Sequence, residues 1–197
     1  PSRALGYRAG PLAFELRIAC RRRRAKSLPY SRELAFSISR DVAEIGYPII
    51  SGMAYGVDAA AHLGALESSG KTIAVFGCGV DHVYPSEHAG LMKRIVDRGL
   101  AISEFPPGVR PIPPRFPQRN RVISGLALAV LVVQAARASG SLITAKFALE
   151  FGREVLSVPG RGGDPGAQGC NALIRDGAVL VENAEDAVKI LEFEHRK

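Results

Sequence analysis

The sequence predicts an α/β protein built on a doubly wound, mostly parallel sheet with helices on both faces. Strand-like and helix-like segments alternate along the chain without an internal repeat, the pattern of a parallel sheet wound by crossover helices. One segment, Leu128 to Val133 (LAVLVV), is an unbroken apolar, β-branched run, as expected for a strand covered on both faces. The turns rich in glycine, proline and charge each follow a predicted strand. In a parallel sheet those turns gather at the carboxyl ends of the strands, where such folds hold ligands.

The elements follow in order. Residues 1–15 hold two prolines, two glycines and no sustained period, and read as a leading arm or the remnant of an upstream segment; residues 16–192 read as one domain and 193–197 as a tail. Leu16 to Cys20 is the predicted first strand, running into Arg21 to Arg24. Ser31 to Ile45 has apolar residues at helical spacing and a stop at Gly46. Tyr47 to Ile50 is the second strand and delivers the turn SGMAYGVD, in which Gly52 and Gly56 flank Tyr55. Residues 59–67 form an alanine-rich helix, for which Asp58 is either the N-cap or a ligand residue. His62 on that helix reads as a packed, hydrogen-bonded histidine rather than a catalyst.

Lys71 to Phe76 is the third strand, ending in Gly77-Cys78-Gly79. This opens a dinucleotide fingerprint without completing it, since His82 stands where the third glycine belongs. Tyr84-Pro85-Ser86 caps a helix from about Glu87 to Arg98, and Leu100 to Ser103 is the fourth strand. Phe105 to Pro117 carries six prolines and is expected to be neither helix nor central strand. After the LAVLVV strand come the turn Ser139-Gly140-Ser141, a helix Leu142 to Phe151, a strand Glu154 to Val158, a glycine-rich loop to Gly169, a short helix Cys170 to Arg175, a last strand Ala178 to Val181 and a closing helix Ala184 to Glu192.

Charge is localised. The net charge is +7 over 197 residues, but residues 1–40 hold ten Lys/Arg against two Asp/Glu, and Phe105 to Arg153 holds seven Lys/Arg against Glu150 alone. If the fold joins these two segments they form a polyanion surface; the alternative is a solvated arginine-rich face. Arg115 to Arg121 (RFPQRNR) sets an aromatic ring among guanidinium groups, a composition suited to phosphates and a stacked base. Ser139-Gly140-Ser141, between a buried strand and a helix N-terminus, exposes backbone N–H groups and the positive end of the helix dipole, which suits a phosphate.

Other classes find little support. No apolar run approaches the roughly 18 residues of a membrane span and no signal-peptide pattern opens the chain, so a cytoplasmic protein without membrane contact is expected. Cys20, Cys78 and Cys170 are few, odd in number and widely spaced, which reads as reduced thiols with neither disulfide framework nor metal site.

The blocks FPQRNRVISGL, SGSLIT, GREVLSVPG, SGMAYGVDAAAH, GCG to Tyr84-Pro85, SEFP and GCNALI, in order over roughly Glu33 to Val181, resemble the DprA (Smf) family of DNA-processing proteins. The resemblance implies an extended Rossmann-like core that binds single-stranded DNA, forms a homodimer, and loads a RecA-type recombinase during recombination and natural transformation. It implies no catalysis and no cofactor. On that reading Arg24, Arg119, Arg121, Lys146 and Arg153 contact phosphates, Asn120 lies among them, Phe116 or Tyr55 stacks on a base, and Gly52, Gly56, Ser139, Gly140 and Ser141 supply backbone N–H groups. Arg153 is equally placed to pair with Glu150. The chain departs from the family pattern at Arg22 and Ser31, where glycines are expected, at Tyr55, where an arginine is common, and at Gln134, where a glutamate is common. The competing reading is a Rossmann-like nucleotide-binding enzyme such as a nucleoside-monophosphate phosphoribohydrolase, with Asp58, Glu104 or Glu150 as its carboxylate; the PGGxGTxxE motif of those enzymes is absent.

Overall fold

The computed structural model describes the backbone of residues 13–18 and the whole of residues 29–196. Cys20, Arg22 and the Arg21 to Arg24 turn lie outside the described residues. The element order is β1 (Ala13–Ile18), α1 (Pro29–Glu44), β2 (Ile49–Ser51), α2 (Val57–Glu67), β3 (Thr72–Phe76), a 3-10 turn (Ser86–His88), α3 (Ala89–Arg98), β4 (Leu100–Ser103), α4 (Arg115–Leu126), β5 (Ala127–Gln134), α5 (Gly140–Glu150), β6 (Glu154–Ser157), α6 (Gln168–Arg175), β7 (Val179–Leu180) and α7 (Ala184–His195). The seven strands form one sheet in the order β4-β3-β2-β1-β5-β6-β7, every pair parallel. The winding reverses between β1 and β5, where Ile18 lies opposite Gln134.

Alternation along each strand divides the core. Ile49, Leu131 and Leu156 pack with α1, α2 and α7, whereas Ile50, Val75, Val130, Val132 and Val155 pack with Ile123 of α4, Ala145 and Ala148 of α5 and Cys170 of α6. A smaller cluster sets Ile95 of α3 on Phe76 and Leu66. β5 therefore has no polar face: its first seven residues are all buried, as the apolar run predicts. Burying each large aliphatic side chain of this layer contributes about 1.5–3 kcal/mol.

Helices α1 and α2 cross closely because α2 is a helix of small residues. Cβ of an alanine at Gly64 would stand 3.1 Å from the Arg40 backbone nitrogen and closer still to the Phe36 carbonyl. Behind the crossing, Arg98 of α3 caps the end of α2 and the turn after it, donating to the carbonyls of Leu66 and Ser68 at 2.7 Å each.

Most boundaries fall within two residues of the sequence expectation, and three differences stand out. The first strand begins at Ala13, so the last three residues of the expected arm pair with β5 and, at Phe14 and Glu15, with β2. The closing helix runs on to His195, into the expected tail. The third difference bears on function: Arg115–Leu126 is a helix, where a non-helical proline loop was expected through Pro117. Pro117 is the third residue of α4, inside the first turn, where a backbone N–H has no intrahelical partner to lose. The remaining prolines stay in the connection 104–114.

Candidate nucleic-acid interface

β2 ends at Ser51 and delivers the 52–56 turn to the edge of the sheet. Its geometry is held from two sides. From α2, the carboxylate of Asp58 accepts the N–H of Gly52 at 3.2 Å and of Ala54 at 3.3 Å. Asp58 thus serves the turn before the helix rather than standing as the N-cap, a position that Gly56 holds. From α4, Arg119 donates through Nη1 to the carbonyl of Gly52 at 3.0 Å and to the carbonyl of Val75 in β3. Met53 takes φ 61° and Gly56 φ 91°, the left-handed turns that carry the chain over this clamp. A Cβ at Gly52 would lie 2.6 Å from Cζ of Arg119, so a side chain there pushes the guanidinium from its place. Asp58 is 1% exposed and Arg119 3% exposed, so both charges sit beneath the surface.

At the tip of the turn Tyr55 is 49% exposed. Its ring stands edge-on to His88, centroids 5.0 Å apart, and His88 Nδ1 lies 2.9 Å from the Met53 carbonyl oxygen. A hydrogen bond to the Glu87 carboxylate pushes the Tyr55 phenol up to about 12 and holds Glu87 below the usual carboxylate range.

The neighbouring turn, Gly77 to Gly79, anchors the proline connection. Gly79 donates to the Val109 carbonyl at 2.8 Å, and both carboxylate oxygens of Asp81 accept the Gly108 N–H at 3.0 and 2.8 Å. The connection then enters α4 through an aromatic cluster. The Arg115 guanidinium lies 5.2 Å over the Phe105 ring, and Phe116 packs on Tyr84 with centroids 5.3 Å apart. Arg121, one half-turn beyond Arg119, points to the surface and is gripped by Glu104, Nη2 lying 2.7 and 2.9 Å from the two carboxylate oxygens. Asn120 is buried and accepts from Arg119 Nε at 3.3 Å.

At the end of β5, Ser139 is the N-cap residue of α5 without a side-chain capping bond, and its hydroxyl lies 3.4 Å from that of Ser141. Arg137, Ser139, Gly140, Ile143 and Lys146 line a shallow groove of about 380 Å3. Lys146 is mostly exposed and lies 3.8 Å from Glu150.

The structure brings Gly52, Tyr55, Gly56, Phe116, Arg119, Asn120, Arg121, Ser139, Gly140 and Ser141 to the carboxyl edge of the sheet, with Lys146 nearly two turns down α5. Arg153 is not with them. It precedes β6 at the opposite edge and donates to the Gly125 carbonyl at 3.1 Å, while Lys146 takes the Glu150 contact that the sequence offered to Arg153. Arg24 lies outside the described residues. Arg137 joins the groove although the sequence marked it only as part of the basic excess; its place just before a strand-to-helix turn was the available signal.

His62 is a packed histidine. Thr72 Oγ1 spends its proton on the Ile49 carbonyl at 2.8 Å, so at 2.6 Å it accepts from His62 Nδ1, which fixes the neutral tautomer. Burial lowers His62 to about 4. Its Nε2, and Oδ1 of Asp58 one helical turn away, have no hydrogen-bond partner among the described residues. Cys78 and Cys170 are buried free thiols, pushed up by burial.

Fold and edge together define a Rossmann-like α/β protein whose strand-end turns and exposed cations share one rim. Residues 22–192 match the family model described as DNA recombination-mediator protein A, and the chain belongs to that family. It is 48% identical to Protein Smf of Escherichia coli over 153 residues, covering 77% of this chain and 41% of that protein, and 46% identical to the DNA processing protein DprA of Streptococcus pneumoniae over 145 residues, covering 74% and 51%. The chain thus spans about half the length of the curated relatives it matches. Among solved structures it is similar to S. pneumoniae DprA (TM-score 0.81, 35% identity, 91% of this chain and 61% of that one). It is equally similar to Helicobacter pylori DNA processing protein A, a structure described by its single-stranded DNA binding mode (TM-score 0.81, 30% identity, 93% and 81%). Molybdenum cofactor binding proteins share the fold at about 15% identity.

Proposed function

We propose that this chain is a sequence-independent single-stranded DNA-binding module of a recombination mediator. The observation that carries the reading is the composition of one edge: exposed Tyr55, Arg121 on α4, the uncapped N-terminus of α5, and Lys146 beyond it. Cations and N–H donors on such a rim follow a phosphate backbone, and the exposed ring offers a stacking platform that accepts any base. Family membership and the single-stranded DNA binding described for the H. pylori protein support it. The finer parts of the proposal are a homodimer, delivery of the DNA to a RecA-type recombinase, and a cytoplasmic site of action; among the described residues no helix is long and apolar enough to cross a membrane.

The carboxylates an enzyme would need have other partners. Asp58 is buried and holds the turn, Glu104 grips Arg121, and Glu150 lies beside Lys146. The binding role is tested by fluorescence anisotropy of a labelled oligo-dT and the matching duplex across a salt series. Tight single-strand binding is expected, with log K falling against log salt by about 0.7 for each phosphate contact. Absence of binding at low salt overturns the proposal.

A further inference from the structure

We infer that the two arginines of the Arg119-Asn120-Arg121 segment divide the labour of the site: Arg121 meets the phosphate, and Arg119 is a positioning residue that shapes the 52–56 turn from beneath and never touches the ligand. This deepens the DNA-binding reading and rests on it.

Helix geometry separates the pair. Residues two apart on an α-helix point about 200° away from each other, so a helix lying on the sheet sends one inward and the other outward. Arg121 goes outward to Glu104. Arg119 goes inward, is 3% exposed, and ties three elements together: α4, which carries it, the carbonyl of Gly52 at the end of β2, and the carbonyl of Val75 in β3. The same peptide segment is held on its N–H side by Asp58. Gly52 is therefore fixed through both polar groups, by a buried carboxylate and a buried guanidinium. A Cβ at Gly52 would occupy the place of the guanidinium, so a side chain there displaces Arg119. Nη1 reaches both carbonyls while Nε, in the same rigid plane, donates to Asn120 Oδ1 at 3.3 Å, an arrangement that a lysine with its single nitrogen does not reproduce. The turn so fixed presents Tyr55 and Gly56 to the rim.

A positioning residue and a contact residue differ in salt dependence. A phosphate contact releases counterions, so losing it flattens the plot of log K against log salt by about 0.7, whereas loss of positioning lowers affinity at every salt concentration and leaves the slope unchanged. The experiment compares wild type, Arg119→Ala, Arg119→Lys, Arg121→Ala and Gly52→Ala with oligo-dT across a salt series, beside amide hydrogen exchange of the free proteins. Arg121→Ala is expected to flatten the slope with wild-type exchange. Arg119→Ala is expected to weaken binding by about tenfold with a wild-type slope and faster exchange at Gly52 and Ala54. Arg119→Lys, which keeps the charge, is expected to resemble Arg119→Ala. Gly52→Ala reaches the same coupling from the other side, should Arg119→Ala not fold.

A flattened slope in Arg119→Ala, full rescue by lysine, or wild-type affinity in Arg119→Ala and Gly52→Ala overturns the inference. If wild type binds no DNA, the functional reading fails; the exchange of Gly52 and Ala54 then still decides whether Arg119 holds the turn.

Discussion

Glu104 holds Nη2 of Arg121 between its two carboxylate oxygens, so an exposed cation of the rim is already engaged by an anion. A phosphate arriving at this edge must displace that carboxylate. Both partners are about half exposed, which limits the interaction to about 0.2–1 kcal/mol. Glu104→Gln should therefore tighten single-stranded DNA binding at low salt by about two- to fivefold, at a loss of no more than about 1 kcal/mol in stability. Anisotropy titration reads this directly, and equal or weaker binding by the variant would remove Glu104 as a competitor.

Buried His62 makes stability depend on pH. Its folded value is lowered to about 4 from the ordinary 6.5, so the unfolded chain takes up a proton that the folded one refuses. The stability due to neutral His62 is complete above pH 6.5, falls as the pH drops between 6.5 and 4, and levels off below that, a change of about 3 kcal/mol. Urea midpoints measured from pH 7.5 to 4 should show this fall. His62→Gln should flatten it while lowering stability at pH 7.5, because the bond to Thr72 is lost. An unchanged pH profile in the variant would assign the titration elsewhere.

Removing Asp58 should cost more than an ordinary surface carboxylate. Asp58→Ala leaves the N–H groups of Gly52 and Ala54 without their acceptor beneath the surface, for a loss of about 3 kcal/mol. Asp58→Asn keeps one acceptor oxygen and should recover part of that loss. Equal stability of the two variants would show that charge, rather than hydrogen bonding, governs the turn.

The close crossing of α1 and α2 predicts a cost for a single methyl group. Gly64→Ala should lower stability by about 1–3 kcal/mol, although alanine is the better helix former, because its Cβ meets the backbone of α1. A lower urea midpoint at constant m-value is the expected result. A more stable variant would show that α1 moves aside freely.

Where the physics was local, the sequence disclosed it. Two-faced burial leaves an unbroken apolar run at Leu128 to Val133, and the turn after each strand marks the sheet edge, so the doubly wound fold and the location of the rim were legible. Helix α4 was not, because six prolines between Pro106 and Pro117 read as one irregular stretch, although the last of them falls in a helical first turn. The orientation of Arg119 was hidden for the same reason. Without the helix, the i, i+2 spacing of Arg119 and Arg121 carries no direction, and an arginine between Gln118 and Asn120 reads as solvent-facing. Asp58 was legible as a backbone acceptor, but which N–H groups it serves depends on Met53 turning through a positive φ. Arg153 was drawn into the site by its charge, although its place just before the strand that begins at Glu154 sets it at the amino edge of the sheet.

The connection from β4 to α4 crosses back from the outer strand toward the middle of the sheet, fixed by prolines along its length and tied to Gly79 and Asp81. Its backbone has little conformational entropy left to lose when a flexible polymer arrives. On the proposed DNA-binding role, the ordering cost of association falls on the DNA strand, and its stiffness should set how binding varies with base composition.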